Sequence, residues 1–415
     1  MKILIYGLNF SPELTGIGKY TGEMAAWLGK QGYDVKIITA PPYYPAWKIS
    51  DEYSPCTFTK EKNDKSTVYR CPLWVPSKPK TLTRIVHLLS FTLSSFPLLC
   101  KQMVFWHPDA VICLAPPFFC ALQTVILSKL MGIKSWLHFQ DFEICAMFGT
   151  GLISGGKKRS KIAHLIQAFI TRRFDRVSTI SQAMCKSAES HRVSRNRVIL
   201  FPNWVDTDFL TTESDNTFFR NKWNITPTTK VVLYSGNLGK KQGLEIMLDS
   251  AQALKNRKDI LFIIVGDGAH KARLMELSEQ KQLENIQFHL LQPYNLLPNL
   301  LHMADIHLII QKRGAAVAVL PSKLTSILSI GGHSLITADL NTELGHLVIN
   351  NPGIATLVTP EDPDALTKAI IKACDDPHIG SNKINLKARQ YAEKQLDIEN
   401  ILRQFEVDLQ EMLSR

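Results

Sequence analysis

The sequence predicts an α/β chain built from two domains, each around a doubly wound parallel sheet. Three observations predict it. Short runs rich in Val, Ile and Leu alternate with helical pattern along all 415 residues. The alternation happens twice, opening on KILIYG at Lys2 and again on KVVLYSGNLG at Lys230. A chain of this length makes two or three domains at roughly 100–200 residues each, every one large enough for its own core. Continuous β-branched runs mark strands buried on both faces, and strand–helix alternation brings parallel pairing with right-handed crossovers.

The elements come in order. The first strand is Lys2–Tyr6. After its loop, Tyr20, Met24, Trp27 and Leu28 share one helical face, and Gly32 stops that helix. Further strands in the first half are Asp34–Thr39, Ala110–Leu114, Ser135–Phe139, Arg176–Ile180 and Arg197–Phe201. The polar, turn-rich stretch Pro202–Thr229 divides the halves. The second half predicts strands at Lys230–Tyr234, Ile260–Val265, Asn285–Leu290, Asp305–Ile310, His333–Thr337 and Gly353–Val358. Asn385–Arg415 reads as helix. The expected domains are residues 1–205, 206–384 and a terminal helix over 385–415. Open α/β sheets bind ligands outside the carboxyl ends of their strands, so two Rossmann-like domains facing each other would enclose a cleft lined by loops of both.

Composition removes several classes. A 45% hydrophobic content is too high for a disordered chain, and 22 Gly and 21 Pro without a period exclude collagen-like and low-complexity chains. No CxxC pattern occurs among the eight cysteines, which read as buried reduced thiols, and residues 1–10 lack signal-peptide architecture. The expectation is a cytoplasmic chain. Charge is uneven: 26 Lys/Arg face 12 Asp/Glu up to Leu200, a net +14, whereas 22 face 25 beyond it, a net −3. The first half therefore suits an anionic partner, nucleic acid or a membrane surface. No apolar run reaches the ~20 residues of a bilayer span. Ile85–Cys100 nevertheless has no Asp, Glu, Lys or Arg and lies between basic flanks, which fits an interfacial helix as well as a core one.

Four segments could carry chemistry. In the first loop, Gly16 and Gly18 let the backbone approach a ligand, and the helix beginning near Gly18 turns N–H groups towards an anion. No acid ends the second strand, which disfavours a nicotinamide dehydrogenase. The second-half loop SGNLGKKQG sets Gly236, Gly239 and Gly243 around Lys240 and Lys241 without completing a P-loop. After the strand Asp305–Ile310 come Lys312 and Arg313, then a helix start at Pro321–Ser322 with Lys323 in its first turn. A cation there opposes the helix dipole, a cost that makes sense if it holds phosphate. His138 and Asp141 stand at a strand end, where a histidine could meet a sugar hydroxyl, shuttle a proton, or simply sit satisfied in the core. The Asp206–Asp208 and Asp362–Asp364 pairs lie in turns, and no His/Cys cluster offers a metal site.

Taken together and in order, the first loop, the H-x-x-D strand end, TISQAM, FPNWVD, YSGNLGKKQGLE, VGDG and VLPSKLTSILSIGG resemble the retaining glycosyltransferases of family four, of the two-domain fold called GT-B. The first loop, ITAPPYYPAW and QKRGAA-x-AVLPSKLT are similar to the branch of that family acting in enterobacterial colanic acid biosynthesis. The resemblance implies a metal-independent, cofactor-free hexosyltransferase at the inner face of the cytoplasmic membrane, associated peripherally. It would move a sugar, fucose from GDP-fucose, from a nucleotide diphosphate to an undecaprenyl-diphosphate-linked oligosaccharide; its partners would include an anionic inner-membrane surface and no nucleic acid. Carried residue by residue, it implies donor contacts from Gly16, Gly18, Gly236, Asn237, Lys240, Lys241, Lys312, Arg313, Pro321, Ser322 and Leu324, catalysis by His138 and Lys323, and acceptor contacts from Glu13, Lys19, Tyr20 and Asp141. The family's E-x7-E acids fall on Ala318 and Ser326, and its loop Arg and Lys on Asn237 and Gln242. A catalytically silent membrane scaffold and a sugar-nucleotide epimerase are the alternatives.

Overall fold

The structure is a computed structural model. It describes residues 1–13, 16–63, 66–77, 80–115, 118–140, 165–190, 192–240, 242–313 and 321–415. The chain divides into two compact units, Met1–Pro202 with Leu402–Arg415, and Asn203–Ile401.

The first unit is an eight-stranded sheet made of β1 (Lys2–Tyr6), β2 (Asp34–Thr39), β3 (Thr59–Asn63), β4 (Ser66–Arg70), β5 (Ala110–Ala115), β6 (Lys134–Phe139), β7 (Arg176–Thr179) and β8 (Val198–Leu200), in the order β3-β4-β2-β1-β5-β6-β7-β8. Every pairing is parallel except β3 with β4. The second unit holds β9 (Lys230–Ser235), β10 (Ile260–Val265), β11 (Ile286–His289), β12 (Ile306–Ile309), β13 (Ser334–Thr337) and β14 (Thr356–Val358), all parallel, in the order β11-β10-β9-β12-β13-β14. Central strands are sealed on both faces: Ile3, Leu4, Ile5 and Tyr6 of β1, and Phe262, Ile263, Ile264 and Val265 of β10, have no exposure. That is why they read as unbroken apolar runs.

Three expectations needed correction. The β3–β4 hairpin was not foreseen, because TKEKN and STVYR carry no apolar run. An edge strand needs none, and Lys60, Glu61 and Lys62 discourage further pairing there. The apolar segment is longer than the expected Ile85–Cys100. Helix α2 (Thr81–Lys101), which contains Pro97, passes into a π-helical turn, Gln102–Trp106, that ends at His107 with φ 51°. Leu82–Trp106 thus forms a 25-residue helical stretch long and apolar enough by length and composition to cross a membrane. Its face bearing Phe91, Ser95, Leu99 and Met103 is nevertheless buried in the unit, and Tyr6 Oη lies 2.7 Å from Ser95 Oγ. The terminal stretch 385–415 is two helices. Leu386–Gln395 stays with the second unit, and only Leu402–Arg415 of the helix Ile398–Ser414 joins the first. There Phe405 stacks on Phe201 and meets the edge of Trp136, while Tyr33 Oη donates to Glu406.

Candidate functional site

The second sheet changes winding direction at β9, which lies between β10 and β12, so its crevice opens at the carboxyl ends of β9 and β12. The segments leaving these two strands define the site. Past β9 the chain turns at Gly236, φ 146°, and the next residues are braced on the loop after β10: Leu238 N donates to Asp267 O at 2.8 Å, and His270 N donates to Leu238 O at 2.9 Å. Tyr234 Oη donates to the Asn237 carbonyl at 2.9 Å. Beyond β12, the helix Ser322–Ser329 starts at Pro321, which supplies no side-chain cap. In its first turn Leu324 N donates back to Pro321 O at 2.9 Å, whereas the N–H groups of Ser322 and Lys323 have no carbonyl within the helix to receive them.

Lys323 reaches from that first turn back to β9. Its Nζ sits 3.7 Å from the centre of the Tyr234 ring. A Cβ at Gly236 would stand about 4.0 Å from it, in ordinary contact, so it is the φ of 146° and not a lack of room that calls for glycine here. The residue retains some surface, yet Nζ itself is sealed and finds no hydrogen-bond partner among the described residues. Burial pushes its pKa from 10.5 down to about 7. A ring face is partial compensation for a buried ammonium; an anion would compensate it better.

Lys312, just past β12, lies with its stem against Gly243: a Cβ there would fall 2.7 Å from Lys312 Cγ. A cation therefore stands beside Gln242, where the family's loop lysine is missing. Glu245 answers it. Burial raises that carboxyl, but a backbone N–H, His270 Nε2 at 2.8 Å and the Lys312 charge outweigh burial and hold it below the usual range. Gln242 Oε1 and Gln311 Oε1 are also buried without partners among the described residues. Arg313 is more remote. It is exposed, with Nε 3.9 Å from Asp339 and its backbone N donating to Glu361 at 3.3 Å. Asn237 and Lys240 are exposed or half-exposed, Ser322 is exposed, and Leu324 is core. Lys241 and Ala318 lie outside the described residues, and Ser326 is half-buried on the helix.

The glycines of the first unit do something different. Helix α1 (Gly16–Lys30) begins at Gly16, φ 62°, two residues earlier than expected. Gly18 is buried; a Cβ there would come 2.6 Å from both Cβ and Oε2 of Glu13. The close approach it permits is to the protein's own carboxylate, which corrects the ligand reading of Gly18. Glu13, 5% exposed, accepts from Asn9 Nδ2 at 2.9 Å, Tyr43 N at 3.1 Å and Tyr44 N at 3.0 Å. It is raised by burial, against the opposing pull of these bonds and of Arg70. Glu13 thus ties the loop after β1 to the loop after β2. Lys19 pairs with Glu23 at 3.7 Å, and Tyr20 is buried.

His138, on β6, takes the core environment. Its Nδ1 is 2.8 Å from Ser178 Oγ, its Nε2 is 2.9 Å from Gln140 Nε2, and Phe201 meets the ring edge-on at 5.0 Å. Burial lowers its pKa to about 3. Both ring nitrogens are engaged and the ring is neutral, so a proton shuttle does not fit here. Asp141 lies outside the described residues. Tyr234 and Gln311 were missed by sequence reading, which marks Gln242 only as the place of the family's absent lysine. Only the position of Tyr234 beside the glycine turn hinted at it.

Comparison with known proteins agrees with this layout. The family model described as "Glycosyl transferase 4-like domain" matches residues 15–204, and that described as "Glycosyl transferases group 1" matches residues 215–395. WcaI of Escherichia coli (strain K12), named as a glycosyl transferase of colanic acid biosynthesis, is 48% identical over 415 aligned residues, covering 99% of this chain and 100% of its own. Among solved structures, sucrose-phosphate synthase from Thermosynechococcus elongatus superposes with a TM-score of 0.77 at 14% identity, covering 100% of this chain and 99% of that one. HepE of Anabaena, solved in complex with UDP-glucose, gives 0.68 at 15% identity, covering 99% and 100%. These two likenesses bear on fold alone. Matched in both halves by family models and nearly half identical from end to end to a named transferase, the chain belongs to the family-four glycosyltransferases of GT-B fold, in the branch of WcaI.

Proposed function

We propose that the chain moves a sugar from a nucleotide diphosphate donor held by the second unit to a lipid-linked oligosaccharide, in exopolysaccharide biosynthesis of the colanic acid type. Fucose from GDP-fucose is the donor in the fullest form of this reading. The observation that carries it is Lys323, a sealed ammonium at the start of a helix, against a glycine turn and the Tyr234 ring, with no hydrogen-bond partner among the described residues. The names of WcaI and of HepE with UDP-glucose support it further.

The reaction proceeds with retention and without a metal. The bond from the anomeric carbon to the diphosphate breaks, and the acceptor hydroxyl forms its new bond on the same face. The hydroxyl proton passes to an oxygen of the departing diphosphate. Negative charge grows on that diphosphate, so Lys323, Lys312 and the helix N–H groups bind the transition state more tightly than the ground state. Arg313, shared with Asp339, contributes less. His138 acts as a positioning residue, holding Gln140 at the end of β6.

The acceptor reaches the first unit at a membrane surface on the cytoplasmic side. Helix α2 and the turn after it leave Leu82, Val86, Leu93 and Phe105 exposed, Phe105 at 84%. Helix α3 (Phe118–Met131), packed against α2, adds exposed Ile126 and Leu130. With Lys80 and Lys101 near the two ends of α2, this is the pattern of a helix lying in an anionic interface. Leu93→Glu is expected to reduce pelleting with phosphatidylglycerol vesicles, and salt to reduce pelleting of the wild type.

The test is incubation with a panel of labelled sugar nucleotides and an undecaprenyl-diphosphate-linked acceptor. Transfer of label to lipid supports the reading. Conversion of the sugar nucleotide without acceptor would mean an epimerase, and inertness towards every donor would mean a scaffold.

A further inference from the structure

On the carboxyl edge of the first sheet, two buried polar atoms have no partner among the described residues. The loop leaving β2 and the start of α2 meet at this edge, since β4 runs parallel to β2 and leads into α2. Between them His87 is 1% exposed. Its Nδ1 is 2.7 Å from the Trp74 carbonyl oxygen, which can only accept, so Nδ1 carries the proton. Burial, the Arg84 charge adding to it, holds the ring below its usual pKa, hence neutral. Nε2 is then a lone-pair acceptor, buried and unpartnered among the described residues. Arg84 Nε, a donor, is buried and unpartnered as well. Aromatic faces enclose both groups: Tyr43 and Trp47 lie 4.8 and 5.4 Å from the His87 ring, and the Arg84 guanidinium lies 5.2 Å from the Trp47 ring.

Both groups lie against Trp47, and an orphan acceptor together with an orphan donor there is the complement of a hydroxyl, which donates and accepts through one oxygen. A phosphate only accepts, so it would satisfy Arg84 and set a second acceptor against His87 Nε2. Flat apolar faces with a few converging polar groups are the makings of a small-molecule site.

We propose that Arg84, His87 and Trp47 form a sugar subsite on the first unit, taking one pyranose of the acceptor. One of its hydroxyls donates to His87 Nε2 and accepts from Arg84 Nε, and its ring lies on Trp47. This rests on the transferase reading above. Trp47 covers the subsite as it stands, at φ 52° on a loop secured by long backbone bonds, Lys48 N to Tyr43 O at 3.3 Å and Ser50 N to Pro42 O at 3.4 Å. The root of that loop is firm, because Glu13 accepts from the N–H groups of Tyr43 and Tyr44.

The experiment is saturation-transfer NMR on the full chain with methyl α- and β-pyranosides of the common hexoses and 6-deoxyhexoses. Thermal shifts with UDP and GDP are measured on the same samples. At least one pyranoside binds the wild type. Arg84→Lys and His87→Gln weaken it by ~10-fold or more, and Trp47→Leu weakens it too, with unchanged nucleotide shifts showing that each variant is folded. The subsite is overturned if the wild type binds no pyranoside, if all three variants bind within about twofold of it, or if inorganic pyrophosphate is the ligand that Arg84→Lys loses. Absent nucleotide shifts with pyranoside binding intact would instead strike the donor reading and leave the subsite in place.

Discussion

Two loops hold the same place in the two units, each leaving the first strand of its sheet through a glycine-containing turn. Around Gly18 the space is filled from within, by Glu13, whose carboxylate is occupied by Asn9, Tyr43 and Tyr44. Around Gly236 and Gly243 the neighbours are Lys323 and Lys312, cations brought from elsewhere in the unit, and Lys323 has no hydrogen-bond partner among the described residues. A glycine marks a close approach. The identity of the approaching group, and whether its polar atoms are already satisfied, separates a structural turn from one that waits for a ligand. His138 and Lys323 repeat the lesson: both are buried ionisable groups near strand ends, and the first is saturated where the second is not.

The sharpest way to break this comparison is Lys323→Ala. Transfer is expected to fall by ~10²-fold or more with the fold intact, as when one charge-stabilising donor is removed. Wild-type turnover would make the two loops equivalent.

Next comes Lys323→Met, read as stability without ligand. The folded pKa of about 7 lies below the ordinary 10.5, so between these values the unfolded chain binds the extra proton. Wild-type stability therefore rises with pH across that window, and the cost of the buried charge is complete below about pH 7. The variant should be more stable than the wild type by up to a few kcal/mol at ~pH 6, with the gap closing towards pH 10.5. Urea titrations at several pH values measure it. A gap independent of pH would mean that Nζ is not sealed.

The smallest effect belongs to the first loop. Gly18→Ala sets a methyl 2.6 Å from Glu13 and should cost ~1–3 kcal/mol by overpacking, seen as a lower melting temperature. The donor KM of the folded fraction should barely move. An unchanged melting temperature with a raised donor KM would return Gly18 to a ligand-binding role.

Much of this molecule was legible beforehand. The strand Ile260–Val265 begins and ends where its apolar run does, because a strand covered on both faces has no polar residue to blur its limits. The exposed edge strand β3 left no such trace, and α2 outran its uncharged segment because helix propagation continues past a basic residue such as Lys101. Of the site, the position of Lys323 after Pro321–Ser322 was readable, since first-turn cations are unusual. Its partnerless state was not.

By itself the sequence determined the class of fold, the twofold recurrence of strand and helix and the family, because apolar periodicity and turn chemistry are local properties written residue by residue. Only the tertiary structure decided which buried polar atoms are satisfied among the described residues: Glu13 and His138 are, Lys323 and His87 Nε2 are not. Hydrogen-bond satisfaction depends on which distant segments converge on an atom, as Tyr43 does on Glu13 across 30 residues of chain.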